Sequence, residues 1–490
     1  MRILATRRLH FRQMLKQIVL MVAASLALIS AAACGSTASP AATTTEPSTT
    51  IGGSTTATAS ASATASTTAT TGGTAKPGVL PSAAAAIAPA PAGKLGTYSG
   101  AATTQTKPDF AALPGAKAHF GTLGKAVYQI EIPDSWNGEL VMYAHGFAGF
   151  GNEVSVNPPP AALRKQLISD GFAWAASSFS ENGYTPGIGA DDTLALKQYF
   201  AQQYGAPKRT YLAGLSMGGN VVTLSLEHYA DQYDGALAVC GALTGEEEID
   251  YLTSWAALAE YTAGVTIPIG EGGGKVGPVL LQDLPKALGT PTSPTAKGEQ
   301  FLSGIENLTG GPRPFFVEGM TANYLVNFGL LLLDPDRQSL PGRAATNVGT
   351  TYKIAGVPDA VVNGAIRRFA ADPAARDATA HPDAVPTTGK ISKPLLTIHG
   401  TGDLFVPISI EQNYLQKVQA AGKGDLLVQR AIRSGGHCAF TDQEYITAFH
   451  DLVSWVRDGK KPAGDNIAGD LSDIGRQFTT PLRSGDPGGR

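Results

Sequence analysis

Arg209-Thr210-Tyr211-Leu212-Ala213-Gly214-Leu215-Ser216-Met217-Gly218-Gly219 is the stretch that decides the fold. Its first residues read as a strand and Asn220 to Tyr229 as a helix, which puts Gly214-Leu215-Ser216-Met217-Gly218 on a strand-to-helix turn. A turn this sharp projects the Ser216 hydroxyl away from the backbone. It needs glycine on either side, because a Cβ there would strike the neighbouring chain. The helix start adds unpaired N–H groups and the positive end of a dipole. Alone, G-x-S-x-G fits a plain glycine-rich turn; between a strand and a helix it marks a nucleophilic serine.

The surrounding sequence repeats the strand–helix rhythm. Ala126 to Ile132 alternates as a strand and Pro133 ends it. Glu139 to Ala144 is a continuous apolar run leading into His145-Gly146-Phe147. Ala161 to Asp170 has helical spacing, Phe172 to Ser177 is the next strand, Asp191 to Tyr204 the next helix, and Gly235 to Val239 the strand before Cys240. Such alternation predicts parallel βαβ units and a sheet covered on both faces. Ligands then bind beyond the carboxyl ends of the strands. Two further strand ends lie downstream: Lys393 to Gly400 precedes Thr401-Gly402-Asp403-Leu404-Phe405-Val406-Pro407, and Leu426 to Ile432 precedes Ser434-Gly435-Gly436-His437-Cys438.

Together these motifs resemble the α/β-hydrolase superfamily, over roughly residues 120–245 and 390–458. The resemblance implies an α/β fold, a mostly parallel central sheet flanked by helices, with a mainly helical cap insertion. It also implies the chain order nucleophile, acid, histidine. Asp403 stands where the acid belongs, ready to accept the Nδ1–H of a histidine and fix its tautomer. Of eight histidines only His437 and His450 follow Asp403. His450 sits inside the apolar-faced helix Tyr445 to Arg457, which leaves His437 as the base. Asp442 is accounted for by the capping box Thr441-Asp442-Gln443-Glu444. The implied oxyanion hole uses the backbone N–H groups of Met217 and Phe147, with His145 structural.

The activity implied is hydrolysis of a carboxylic ester, small or polymeric, through an acyl-enzyme. A serine peptidase or aminopeptidase, an acyl transferase, and a non-catalytic surface-tethered binding protein are the alternatives. No cofactor is expected, and no metal, for want of His and Cys at ligand spacing. Cys438 also resembles a position in the tannase and feruloyl esterase family, where a cysteine after the catalytic histidine bonds to one just before the serine. Leu215 occupies that second position here. Cys240, on the same rim of the sheet, is expected to pair with Cys438 instead, two buried free thiols being the alternative.

The chain has 490 residues, a formal net charge of −3 and 16% charged residues. No basic stripe speaks for nucleic acid. Its basic cluster, Arg2, Arg7, Arg8, Arg12 and Lys16, precedes the apolar run Ile18 to Ile29, the pattern of a secretory signal. Ser30-Ala31-Ala32-Ala33-Cys34 resembles the lipobox of bacterial lipoproteins, with Ala31 departing from the larger aliphatic residue usual there. The expectation is a lipidated Cys34 holding an extracytoplasmic protein on the membrane; cleavage near Ala33 or an uncleaved anchor are the alternatives. Residues 35–93, mostly Ala, Thr, Ser, Gly and Pro, cannot bury enough apolar surface to offset ordering entropy and read as a linker.

The expected plan is therefore a signal (1–34), a linker (35–93), a core in two parts (94–245 and 391–490) and the insertion (246–390). Within the insertion, Glu246-Glu247-Glu248 reads as a solvated helix start and Ile366-Arg367-Arg368-Phe369 as helical. Gly270 to Gly274 reads as a surface loop or hinge, and the aromatic residues as the cap's core. Leu471 to Phe478 is expected to pack on the domain.

Overall fold

The computed structural model describes residues 95–482, apart from 101, 107–109, 269–272, 333–342 and 385. The expected signal, Cys34, the linker and residues 270–272 of the glycine-rich loop lie outside the described residues. No helix among the described residues is long and apolar enough to cross a membrane.

Eight strands form one sheet: β1 (Ala116–Leu123), β2 (Ala126–Pro133), β3 (Glu139–Ala144), β4 (Ala173–Ser177), β5 (Arg209–Leu215), β6 (Gly235–Val239), β7 (Leu395–Gly400) and β8 (Leu427–Ile432). They lie in the order β1-β2-β4-β3-β5-β6-β7-β8. Strands β3 to β8 are parallel. β2 runs antiparallel to both its neighbours, β1 and β4. The main helices are α1 (Ala161–Ser169), α2 (Pro186–Tyr204), α3 (Met217–His228), α4 (Glu247–Ala263), α5 (Ala296–Leu308), α6 (Phe316–Leu332), α7 (Asp359–Ala365), α8 (Ile408–Ala420) and α9 (Asp442–Asp458).

The sheet is apolar on both faces because both are covered. All six residues of β3 are buried. Leu140, Met142 and Ala144 join a core with Leu196 and Phe200 of α2, Val221 and Val222 of α3, and Tyr414 of α8. Their neighbours Val141 and Tyr143 point the other way, into a core with Leu163 and Leu167 of α1 and Phe449 and Leu452 of α9. This is the period of two that a strand imposes. The capping box starts α9: the Thr441 hydroxyl accepts from Glu444 N–H, and the Glu444 carboxylate accepts from Thr441 N–H.

Residues 247–365 contain α4 to α7 and several shorter helical turns around a core of their own, which includes Trp255, Leu258, Phe301, Phe316 and Tyr352. Tyr261 and Tyr324 pack partly buried against it. At the far end of the chain Ile467, Leu471 and Ile474 pack on Ile408 and Ala431.

One strand was not anticipated and two expectations need correction. β1 is an additional strand: half-exposed and carrying Lys117, His119 and Thr122, it lacks the apolar run that marks a buried strand. Ile366 to Phe369 is not helical, since α7 ends at Ala365 and Ile366 is extended. Asn347 takes the hydrogen bonds a helix would use: its side chain donates to Arg367 O and accepts from Phe369 N, and its own N–H donates to Phe369 O. Glu246 and Glu248 do stand at the start of α4, but both are buried rather than solvated. The first turn of that helix packs inward.

Candidate active site

Ser216 closes β5 and precedes α3 at φ 59° and ψ −121°, left-handed values that a non-glycine residue adopts only under constraint. The constraint is backbone. Ser216 N–H donates to Val239 O at 3.0 Å, and Ser216 O accepts from Gly219 N–H at 2.8 Å and Ala242 N–H at 3.1 Å. The glycines are dictated by space: a Cβ on Gly214 would lie 2.1 Å from Gly218 O, and one on Gly218 would lie 2.1 Å from Ala144 O.

Asp403 follows β7 and is fully buried. Its Oδ1 accepts the backbone N–H groups of Phe405 (3.0 Å) and Val406 (3.1 Å). Its Oδ2 lies 2.7 Å from His437 Nδ1. A carboxylate there only accepts, so Nδ1 carries the proton and Nε2 is free to act as acceptor. His437 Nε2 lies 2.9 Å from Ser216 Oγ. The ring meets Phe405 edge-on at 4.8 Å. Ser216, His437 and Asp403, drawn from three strand ends and far apart in sequence, thus stand in one hydrogen-bonded line.

The other site residues fall around this line. Gly146 packs against Ser216: a Cβ on it would lie 3.0 Å from Ser216 Cβ. The His145-Gly146-Phe147 loop therefore borders the serine. His145 is buried, stacks on Phe179 at 4.0 Å, and has Nδ1 2.6 Å from Gly146 O. Burial lowers its pKa below the ordinary value, although backbone hydrogen bonds oppose this. Met217 opens α3, where N–H groups lack intrahelical acceptors, and its Sδ accepts from Thr185 N–H. His450 is elsewhere, on the surface of α9, 2.7 Å from Asp170 Oδ2.

Cys240 and Cys438 form a disulfide that ties the end of β6 to the residue after His437. Both half-cystines have positive φ. The His and Cys donors that cluster among the described residues, Cys240, His437 and Cys438, have both sulfurs in that bond and so offer no thiolate for a metal.

One supporting group was not singled out from sequence. His399 on β7 is fully buried, and its Nε2 lies 2.8 Å from Val406 O in the Asp403 loop. Its Nδ1 lies 3.3 Å from Glu411 Oε1 of α8, and Glu411 is itself held by Thr397 Oγ1 at 2.8 Å and by Gln429. Burial pulls the His399 pKa down, but Glu411, with Asp403 and the Val406 carbonyl, outweighs it and leaves it raised. The available signal was Thr397 and His399, polar residues two apart on one face of an otherwise apolar strand.

No protein-family model matches the chain. A curated protein similar to it is an o-phthalyl amidase from Xanthobacter agilis, 22% identical over 398 residues, covering 69% of this chain and 86% of the relative. An esterase structure from Aspergillus oryzae is 15% identical, covering 71% of this chain and 80% of that one, with a TM-score of 0.40. An acylaminoacyl peptidase structure is 12% identical with a TM-score of 0.36; the match covers 72% of this chain but only 43% of the peptidase. At these scores and identities the structural likenesses carry no functional weight. The sheet order of the chain, with Ser216 on its strand-to-helix turn, is itself that of the α/β-hydrolase fold.

Proposed function

We propose that the chain hydrolyses carboxylic esters, with Ser216 as nucleophile, His437 as general base and then general acid, and Asp403 as the carboxylate that orients it. The observation that carries this is the line of contacts from Ser216 Oγ to His437 Nε2 (2.9 Å) and from His437 Nδ1 to Asp403 Oδ2 (2.7 Å).

In this reading His437 Nε2 takes the Ser216 proton as Oγ attacks the acyl carbonyl. Negative charge gathers on the carbonyl oxygen, where the Met217 and Phe147 N–H groups are proposed to meet it. The tetrahedral intermediate collapses, and the leaving alkoxide takes the proton from His437. Water, deprotonated by His437, then attacks the acyl-enzyme, and Ser216 departs with that proton. The insertion is read as the cap that shapes the acyl pocket, and export with a lipid on Cys34 as the means of placing the enzyme outside the membrane.

Amide hydrolysis by the same residues is the second reading, favoured by the curated relative, an amidase. Rates on p-nitrophenyl acetate and butyrate, beside amino-acid p-nitroanilides and an aryl amide bearing an ortho carboxylate, separate the two. A higher kcat/KM on the esters supports the first; the reverse order supports the second. A folded protein that cleaves neither faster than Ser216→Ala overturns both.

A further inference from the structure

The loop carrying Asp403 joins β7 to α8, yet much of what holds it comes from the insertion. Arg313 is 1% exposed and donates from Nε to Thr401 O at 2.7 Å. Its remaining donors reach Gly311 O at 2.8 Å and Thr309 Oγ1 at 2.9 Å, and its guanidinium lies over the Phe316 ring. Tyr251 of α4 donates to Leu404 O at 2.7 Å, and Asn327 of α6 donates to the same oxygen at 2.6 Å. The Leu404 side chain is fully buried in the core of the insertion, not in that of the sheet. Backbone also lies directly on backbone: a Cβ on Gly319 would sit 1.7 Å from Gly402 O, and one on Gly402 would sit 2.2 Å from Phe315 O.

Residues 401, 402 and 404, on both sides of Asp403, are thus gripped by residues 251, 313, 319 and 327. Burying a guanidinium in a low-dielectric interior is costly. The acceptors of Arg313 are neutral oxygens; burial lowers its pKa to about 10, opposed by its electrostatic coupling to Tyr251, then Glu306 and then Asp403. Placement beside the triad acid gives that cost a purpose.

We propose that Arg313, Tyr251 and Asn327 are positioning residues for the triad acid, so that the insertion sets the Asp403–His437 geometry as well as covering the site. The inference rests on the reading of Ser216, His437 and Asp403 as the catalytic line. These residues act through Asp403. Loosening them lets the carboxylate drift from Nδ1 and leaves the imidazole poorly oriented, which lowers kcat and spares KM.

The test uses the full chain and p-nitrophenyl acetate. Tyr251→Phe combined with Asn327→Ala removes both donors to Leu404 O; Arg313→Met removes the donor to Thr401 O, and Arg313→Lys keeps its charge. Arg367→Met is the control: it breaks an ion pair of the insertion, with Glu260, away from the Asp403 loop. We expect kcat to fall about 10- to 100-fold in the double variant and in Arg313→Met. KM should stay within about two-fold, Arg313→Lys should recover part of the loss, and Arg367→Met should match the wild type. The far-downfield proton resonance of His437 Nδ1–H should shift or broaden in step with kcat. Folded variants with wild-type kcat and an unmoved Nδ1 proton overturn the inference alone, as does an equal loss in Arg367→Met. A wild-type chain that neither hydrolyses the ester nor reacts with a fluorophosphonate overturns the underlying site assignment instead.

Discussion

The turn that carries Ser216 and the loop that carries Asp403 stand on the same rim of one sheet, but they are held by different means. The serine turn is fixed by backbone meeting backbone: Ser216 to Val239, Gly219 and Ala242, with Gly218 pressed on Ala144. All of these residues belong to the α/β frame. The Asp403 loop has backbone ties too, Thr401 N–H to Ile432 O and Gly402 N–H to Ser434 O, but it adds side chains that the serine turn lacks, His399 from the frame and Tyr251, Arg313 and Asn327 from the insertion. Backbone packing allows one geometry and hardly any substitution. Side-chain bonds can be altered one at a time, so the acid is where the insertion can influence the chemistry. Between the two, the disulfide ties the end of β6 to the histidine loop.

The largest effect separates chemistry from support. Ser216→Ala should lower kcat by about four to six orders of magnitude while the thermal midpoint stays near that of the wild type. A small loss of activity would mean that the serine turn is scaffold and that the comparison concerns folding alone.

The next effect concerns the disulfide that ties the end of β6 to the histidine loop. Replacing Cys240 and Cys438 by Ser opens a bond that spans 198 residues and should cost about 2–5 kcal/mol of stability. Activity of the still-folded fraction should fall as the histidine loop loosens. Urea unfolding of the oxidised protein and the double variant, with rates below the transition, measures both. An unchanged midpoint would remove the disulfide from the account of how the loops are held.

Gly218→Ala probes the serine turn by itself. A Cβ 2.1 Å from Ala144 O cannot be accommodated without moving backbone, and the expected cost is about 1–3 kcal/mol with a loss of kcat. A neutral result in denaturant unfolding would show that the turn is as adjustable as the acid loop.

The smallest effect is a pH dependence near the acid loop. Glu248 is buried on the first turn of α4, and neither carboxyl oxygen has a hydrogen-bond partner among the described residues. Burial, and then the charge of Asp403, holds its pKa well above the usual carboxylate range. The folded state therefore keeps this proton when the unfolded chain has lost it. The stability it contributes is complete below the unfolded value, near pH 4, and is lost as pH rises toward the folded value. Glu248→Gln should flatten the decline in thermal midpoint as pH rises above about 4. An equally steep decline in the variant would place the titrating group elsewhere.

Much of the frame was legible because its physics is local. A strand buried on both faces must be apolar throughout, as β3 is, and a serine on a tight strand-to-helix turn must be flanked by small residues. Helix starts were less so: α2 begins at Pro186 and α3 directly after Ser216, ahead of the apolar periodicity that announces them. The insertion was hardest to read because its order comes from distant partners. Asn347 takes the hydrogen bonds of residues 367–369, which are not helical, and the packing of α4 buries Glu248; nothing in either short stretch announces it. Arg313 lies 88 residues from the carbonyl it holds, and Tyr251 lies 153 from its own. The candidate triad was legible residue by residue, whereas its support from the insertion had no local pattern to betray it.

The central claim is that Ser216 is an activated nucleophile. Incubating the folded chain with a fluorophosphonate, digesting it and mapping the adduct tests this most directly. The expected result is one adduct on the peptide containing Ser216, absent in Ser216→Ala and much slower to form in His437→Ala. Labelling on another residue, or none on a protein shown to be folded, would contradict it.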